Sequence, residues 1–437
     1  MTLNRRDFLT STMAAGVLAA CSSTKLKSSP NTSSATTAAA DGAAATEGAA
    51  ATPAAAGKVK NSPKAAAIDK RRLVIIEMDG GNDGLSTLVP YGMTGYKDVR
   101  SRVAIDPKEL LALNDQMGLI KTLAPLHTRG LAVVQGIGTP NPDGSHFAMM
   151  DRWWTGDLRG DAKLNTGFLG RLADAIGDPS ARAVALSIGS GSHPALRSEK
   201  AATLSIPRAD IGNALAGAKA DDVTRFAFQQ ALADMATEAN GEPVGLAMAR
   251  HGNRDAVRFA KTLQELPENQ SEGYPGGTLS DGLQLAARLL HADAAIRITH
   301  VPMGADFDTH TDNPGRHPGL MENLAKSIDA FMADLERRGI ADQVLIATTS
   351  EFGRAVKDNG SNGLDHGTAS CALLLGAVKA GLHGEHPSLT KLDGDGQLIA
   401  TVGFDQYYAT IAETWFGVPA RDVLPGTVKP LPDLLQV

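Results

Sequence analysis

Carboxylate, imidazole and hydroxyl side chains directly follow four short apolar runs of this 437-residue sequence. The runs occupy residues 73–78, 131–138, 296–304 and 344–349. The polar residues that come after them are Asp79, Asn82, Ser145, His146, Asp308, His310, Glu351, Arg354 and His366. Carboxylates and imidazoles that converge from separate segments are common ligands of divalent metals. The pattern therefore predicts a metal site that favours zinc or manganese, with magnesium or calcium as oxygen-preferring alternatives.

Several of these residues also have a purely structural interpretation. Asp79 begins a glycine-rich stretch and could cap a helix or stabilise a turn. Glu351 could be an acid favoured by the dipole of a helix first turn. Ser145 is either a nucleophile or a helix N-cap, and His146 is either a metal ligand or a general acid.

The apolar runs predict the strands of a sheet, with two further strands at residues 184–188 and 372–375. Short continuous apolar runs are typical of parallel strands buried on both faces. Residues 320–338 show helical spacing of apolar side chains and end at Gly339. This order predicts an α/β fold with a doubly wound, mostly parallel sheet, in which ligands bind beyond the carboxyl ends of the strands. Residues 222–266 predict a helical insertion.

The first 69 residues differ from the remainder in composition. Arg5 and Arg6 precede an apolar stretch that is too short to cross a membrane and that ends at Cys21. This order predicts a twin-arginine lipoprotein signal peptide at residues 1–20, with Cys21 as the lipidated residue; cleavage near Ala20 without lipidation is the alternative. Residues 21–69, rich in Ala, Ser, Thr and Pro, predict a disordered tether. Residues 70–437 then form one domain, exported by the twin-arginine machinery and anchored by lipid in the periplasm or cell envelope.

Charge and cysteine content exclude some functions. The formal net charge is −6, and the predicted mature chain has no lysine or arginine cluster in its domain, so we expect no nucleic-acid partner and no membrane contact beyond the lipid anchor. Cys371 is the second of two cysteines. With Cys21 lipidated it has no disulfide partner, and its apolar surroundings predict a buried, inert thiol.

Several motifs occur in a fixed order over residues 70–430, and together they resemble a bacterial family known as domain of unknown function 1501. The motifs are MDGGNDGLSTLVPYG, SHFAMMDRWWTG, TGFLGRLAD, DFDTH, TTSEFGR and DHG. That family is similar to the alkaline phosphatase and sulfatase superfamily, whose members hydrolyse phosphate or sulfate esters at one or two metals with a serine, threonine or modified cysteine nucleophile. The resemblance implies an alkaline-phosphatase-like domain.

The resemblance also implies roles for individual residues. The superfamily's first-strand metal aspartate falls on Asp79, and the nucleophile position falls on His146, one residue after Ser145. A superfamily histidine is replaced here by Phe352, which cannot bind metal, and His366 is expected to supply a ligand from the next loop. Arg354 and Asn82 are expected to contact the substrate; a surface ion pair is the alternative for Arg354.

Two functions follow from these expectations. The first is an exported lipoprotein that hydrolyses anionic phosphate or sulfate esters. The second is a non-catalytic binding or assembly lipoprotein that keeps the fold, favoured by Phe352 and by the one-residue offset of Ser145. A dinucleotide-binding loop is not predicted, because residues 80–84 break the Gly-x-Gly-x-x-Gly spacing.

Overall fold

The computed structural model describes residues 54–55, 64–177, 183–189, 191–206, 262, 266, 272–292 and 295–437. In chain order the strands are β1 (Ala54–Ala55), β2 (Arg72–Glu77), β3 (Leu88–Val89), β4 (Leu110–Ala112), β5 (Gly118–Ile120), β6 (Ala132–Gly138), β7 (Ala185–Ile188), β8 (Thr203–Ile206), β9 (Ile298–Pro302), β10 (Val344–Thr349), β11 (Ser370–Leu375), β12 (Gly381–His383) and β13 (Val402–Gly403). A small sheet has the order β1-β4-β5-β3.

The large sheet has the order β12-β6-β11-β10-β2-β9-β7-β8, and β13 also pairs with β6. Strands β10, β2, β9, β7 and β8 are mutually parallel. Strand β11 is antiparallel to both of its neighbours. The prediction of a mostly parallel sheet is confirmed, but the run at residues 372–375 is not a parallel strand. An apolar run reports burial on both faces and carries no information on strand direction.

Helices cover both faces of the large sheet. They are α1 (Gly84–Thr87), α2 (Tyr96–Val99), α3 (Ala124–Thr128), α4 (His146–Thr155), α5 (Phe168–Ile176), α6 (Thr278–Ala292), α7 (Asn313–Arg337), α8 (Phe404–Ala409) and α9 (Ala420–Val423), with a π-helical turn at Thr410–Trp415. Helix α7 begins well before residue 320, because Asp312 caps it by accepting from the Gly315 N–H. Its first turns are rich in Gly and Pro and so lack an apolar repeat.

Alternate residues of β2 point into two separate apolar cores. Val74 and Ile76 pack with helices α6 and α7, whereas Leu73 and Ile75 pack with α5, α8 and the π-helical turn. Each fully buried aliphatic side chain contributes about 1.5–3 kcal/mol to folding. The two cores confirm the doubly wound arrangement and fix the edge of the sheet at which the polar strand ends meet.

Several predicted segments lie outside the described residues. These are the signal peptide, Cys21, most of the tether and, apart from residues 262 and 266, the helical insertion. The Ala65 N–H donates to the Gln436 carbonyl at 3.2 Å, and the Ala66 N–H donates to the Asp342 carbonyl at 2.9 Å. The chain thus contacts the domain a few residues before the predicted boundary at residue 70. Cys371 is buried on β11, as predicted. Among the described residues, no helix is long and apolar enough to cross a membrane.

Candidate metal centre

The loops that follow β2 and β9 approach each other closely, and two glycines permit the approach. Gly80 has a φ of +99°, and a Cβ atom there would lie 2.5 Å from the backbone nitrogen of Asp308. Gly81 has a φ of +85°, and its Cβ would lie 2.5 Å from the Phe352 ring. Only glycine combines this conformation with the missing side chain. The glycine-rich stretch therefore brings Asp308 and Phe352 to the end of β2.

Four of the predicted side chains meet at this edge, and we call them the Asp308 cluster: Asp308, His310, His366 and His146. Asp308 Oδ1 lies 3.0 Å from His310 Nε2 and 3.4 Å from His366 Nε2. The two Nε2 atoms are 3.0 Å apart. His146 Nε2 lies 3.7 Å from Asp308 Oδ2. Residues far apart in sequence thus present one carboxylate and three imidazoles to one point.

The donor set of this cluster fits a divalent metal. Asp308 Oδ1 is buried, pairs with the Arg354 guanidinium at 2.5 Å and has two imidazole nitrogens within 3.4 Å. His310 Nδ1 is held by Asp365 at 3.1 Å, and His366 Nδ1 donates to the Gly144 carbonyl at 2.7 Å. Partners at Nδ1 fix the rings and leave Nε2 for a metal. One carboxylate and two imidazoles suit zinc or manganese.

His146 is oriented by Glu351. Its Nδ1 lies 2.9 Å from Glu351 Oε1, which also accepts the Gly80 N–H at 2.7 Å. Glu351 is buried, and an ionised carboxylate can only accept. The imidazole therefore donates from Nδ1, and its Nε2 lone pair faces Asp308. Glu351, predicted as a metal ligand, lies behind His146 in this arrangement.

Phe352 forms a wall of the cluster. Its ring centroid lies 4.9 Å from that of His146 and 4.7 Å from that of His366. Phe352 thus packs against two of the imidazoles and limits their rotation.

Arg354 and Asn82, the predicted substrate-binding residues, contact protein atoms. Arg354 is buried, donates to the carbonyls of Gly80 and Gly81, and pairs with Asp308 Oδ1 at 2.5 Å. Burial alone would raise the pKa of Asp308, but the Arg354 guanidinium outweighs this effect and lowers that pKa. Asn82 is fully buried, and its Oδ1 accepts from the Thr87 hydroxyl at 2.9 Å.

Ser145 is the N-cap of helix α4. Its hydroxyl accepts from the Ala148 N–H at 3.5 Å, and its own N–H donates to Asp143 at 2.8 Å. The side chain is exposed. This geometry agrees with the capping alternative.

Asp79 lies close to the carboxylates of Glu77 and Glu351. Burial, followed by the carboxylates of Glu77 and Glu351, raises the pKa of Asp79 to about 7, against a smaller lowering by the Gly304 N–H. The described residues contain two sets of three ligand atoms close enough to share a metal, of which the first is His146, Asp308 and His366; Asp79 belongs to neither set.

The second set is Glu77, His193 and His300, which we call the Glu77 cluster. It was not predicted from the sequence, because two of its residues lie inside the apolar runs and not after them. Glu77 and His300 lie within strands β2 and β9. A signal was present, since a charged residue inside an otherwise apolar buried strand requires a partner.

Comparison with known proteins gives a family and a set of structural likenesses. A model of the family described as Protein of unknown function (DUF1501) matches residues 127–397. No curated protein matches the sequence. An alkaline phosphatase from the Antarctic bacterium TAB5 is 13% identical over 74% of this chain and 95% of its own, with a TM-score of 0.31. The lipoteichoic acid synthase LtaP from Listeria monocytogenes is 8% identical over 81% of this chain and 74% of its own, with a TM-score of 0.35. The PsFucS1 sulfatase from Pseudoalteromonas sp. is 11% identical over 82% of this chain and 68% of its own, with a TM-score of 0.32.

Proposed function

We propose that this chain, which belongs to the family described as Protein of unknown function (DUF1501), is a metal-dependent hydrolase of phosphate or sulfate esters. The observation that carries the proposal is the convergence of His310 and His366 on one oxygen of Asp308, at 3.0 and 3.4 Å. A carboxylate with two imidazoles fixed at Nδ1 is a ligand set with positions left for substrate oxygens.

The residues at the Asp308 cluster have different proposed roles. Asp308, His310 and His366 would hold the cation, which when bound would polarise an ester oxygen and stabilise developing negative charge. His146 Nε2 faces the same point, so His146 can accept a proton from the attacking group or donate one to the leaving group. Glu351 holds that imidazole in the required tautomer through Nδ1.

Ser145 is the proposed nucleophile. Its hydroxyl is exposed at the N-terminus of helix α4, where the helix dipole favours negative charge. His146 follows it directly and can take up its proton. An attacking water molecule deprotonated by His146 is the alternative, and Ser145→Ala separates the two. Loss of turnover supports the serine, whereas retained turnover assigns the attack to water.

The test uses the purified full chain loaded with zinc or manganese. Turnover of 4-nitrophenyl phosphate, bis(4-nitrophenyl) phosphate and 4-nitrophenyl sulfate is measured for the wild type and for His146→Gln. The variant should lose a factor of about 10²–10⁴ in kcat, because general acid–base catalysis contributes that much. His383→Gln is the matched control, since the imidazole of that histidine on β12 contacts the Lys379 carbonyl and belongs to neither cluster. Equal turnover in wild type and His146→Gln would contradict the proposal.

A non-catalytic binding or assembly function is the second candidate. Two observations favour it: Arg354 pairs with Asp308 Oδ1 at 2.5 Å, and Phe352, which cannot bind metal, packs against the His146 ring. A metal-loaded wild type without turnover of any of the three esters would make this candidate the better account.

We also propose that the protein is exported by the twin-arginine route and anchored by lipid at Cys21. The support is the order of Arg5, Arg6, the apolar stretch and Cys21 in the sequence. Cys21→Ala should be released from membranes by mild washing, because a bound acyl chain supplies the anchoring energy. A variant that stays in the detergent-soluble membrane fraction would contradict the anchor. Unimpaired export of Arg5→Lys with Arg6→Lys would contradict the route.

A further inference from the structure

We propose that Glu77, His193 and His300 form a second metal site, separate from the Asp308 cluster and suited to zinc or a similar transition metal. Glu77 Oε2 lies 2.6 Å from His300 Nε2 and 3.0 Å from His193 Nε2. The two imidazole centroids are 3.9 Å apart. Two imidazoles and one carboxylate from separate segments, with all donor atoms directed to one point, are a recognised set of protein ligands for zinc, manganese or iron(II).

The charge at this position favours a cation. Glu77 and His300 are buried, with 8% and 1% of their surfaces exposed. Within the part of the chain that the structure describes, Glu77 forms ion pairs with the two histidines, and no lysine or arginine pairs with it. A carboxylate buried without a full positive partner is costly, by several kcal/mol. A divalent cation held by the three residues would compensate that charge.

The other atoms of Glu77 and His300 are held as a metal site requires. Trp154 Nε1 donates to Glu77 Oε1 at 2.7 Å, which directs Oε2 towards the histidines. Ser187 Oγ lies 3.0 Å from His300 Nδ1. When Nε2 binds a metal, the ring proton is on Nδ1. The Nδ1–H group can then donate a hydrogen bond to the Ser187 hydroxyl oxygen.

His193 would exchange one hydrogen bond for the metal. Its Nδ1 accepts the Ala195 N–H at 3.3 Å, a long bond. In the metal-free form both imidazoles can donate from Nε2 to Glu77. Metal binding would replace these two donations and the single long bond by three coordinate bonds.

A small cavity beside Glu77 provides room for a fourth ligand. The cavity has a volume of about 20 Å³, and its lining includes Glu77, His300, Ser350 and Glu351. This volume accommodates one water molecule, which needs two to four polar partners. The lining supplies carboxylate oxygens and a hydroxyl. A site with three protein ligands and one water has the ligand number of zinc sites that keep one coordination position for water.

The inference stands independently of the proposed hydrolysis, since the two clusters share no residue. The test is the number of zinc equivalents that the purified full chain retains after desalting, measured by mass spectrometry. The wild type should retain two equivalents, while His193→Gln and His310→Gln should each retain one. Combining the two substitutions should leave none. His317→Gln is the control, because that buried histidine belongs to neither cluster.

The cobalt-loaded chain gives a second readout that does not depend on activity. Its visible absorption should fall by about half in His193→Gln, and anomalous scattering from crystals of the zinc-loaded wild type should show a peak between Glu77 and His300. The proposal is overturned if His193→Gln and Glu77→Gln retain as much zinc as the wild type. It is also overturned if no anomalous peak lies between Glu77 and His300. Failure at the Asp308 cluster would instead appear as zinc unaffected by His310→Gln.

Discussion

Arg354 Nη2 lies 2.5 Å from Asp308 Oδ1, the same carboxylate oxygen on which His310 and His366 converge. The guanidinium is buried and also serves the carbonyls of the loop after β2. It therefore has two effects: it balances the charge of Asp308 and it ties the β2 loop to the metal-binding loop. A cation bound at this oxygen would also balance the charge of Asp308, but it could not tie the two loops together.

Replacing Arg354 by methionine should lower the free energy of unfolding by roughly 3 kcal/mol in the metal-free protein, because buried carbonyls and Asp308 lose their donor. The loss should be smaller with saturating zinc, since the cation then gives Asp308 a positive partner. Urea unfolding with and without zinc measures both values. Arg316→Met is the control, because that half-exposed side chain bonds to the same loop from the surface and should matter little. An equal loss with and without zinc would argue against a cation at Asp308.

Asp79 predicts a pH dependence of stability in the metal-free protein. Its pKa is raised to about 7 in the folded state, so between about pH 4 and pH 7 the folded state keeps a proton that the unfolded state has lost. The free energy of unfolding should fall as pH rises through this window and stay constant above it. Asp79→Asn should remove this fall and be more stable than the wild type at pH 8, with little difference at pH 4. Chelator-treated samples unfolded in urea test this, and a variant less stable than the wild type at pH 8 would contradict it.

His317 predicts the opposite trend on the acid side. Burial lowers its pKa to about 4, and Arg100 adds to the lowering, while Asp83 opposes it. In the unfolded chain this imidazole binds a proton near pH 6.5, whereas in the folded chain it stays neutral down to about pH 4. The free energy of unfolding therefore falls as pH drops from about 6.5 to 4, by an amount of the order of 3 kcal/mol. His317→Gln should lack this component. Parallel acid titrations of wild type and variant that lose stability at the same rate would refute the assignment.

Glu351 should affect turnover by orienting His146 and not by binding the metal. Glu351→Gln keeps an oxygen for the Gly80 N–H but removes the charge that orients the imidazole. We expect kcat to fall by about 10–100-fold with KM nearly unchanged, which is the usual effect of losing a partner behind a functional histidine. Zinc content should stay the same. Glu336→Gln, at a surface pair with Arg129, is the matched control. Loss of zinc in Glu351→Gln would instead assign Glu351 as a ligand.

The sequence predicted six strands of the large sheet, because apolar runs of this length are readable without tertiary information, but not the shorter strands. It predicted the neighbourhood of Asp308, His310 and His366 for the same reason, since parallel strands end at one edge. The direction of β11 and the early start of α7 were not predictable, because neither burial nor apolar spacing encodes them. The burial of Arg354 depends on carbonyls that converge only in the folded chain. His193 lies in a loop with no strand signal, so its approach to Glu77 required the structure.

The most direct test of the account is zinc binding at the Asp308 cluster. The purified wild type, loaded with zinc and desalted, should lose one full equivalent on Asp308→Asn and the same equivalent on His366→Gln, because the ligands of one metal act as a unit. His383→Gln should lose none. A wild type that retains less than roughly one-tenth of an equivalent, or an Asp308→Asn variant that retains as much zinc as the wild type, would contradict the metal site and with it the proposed hydrolase.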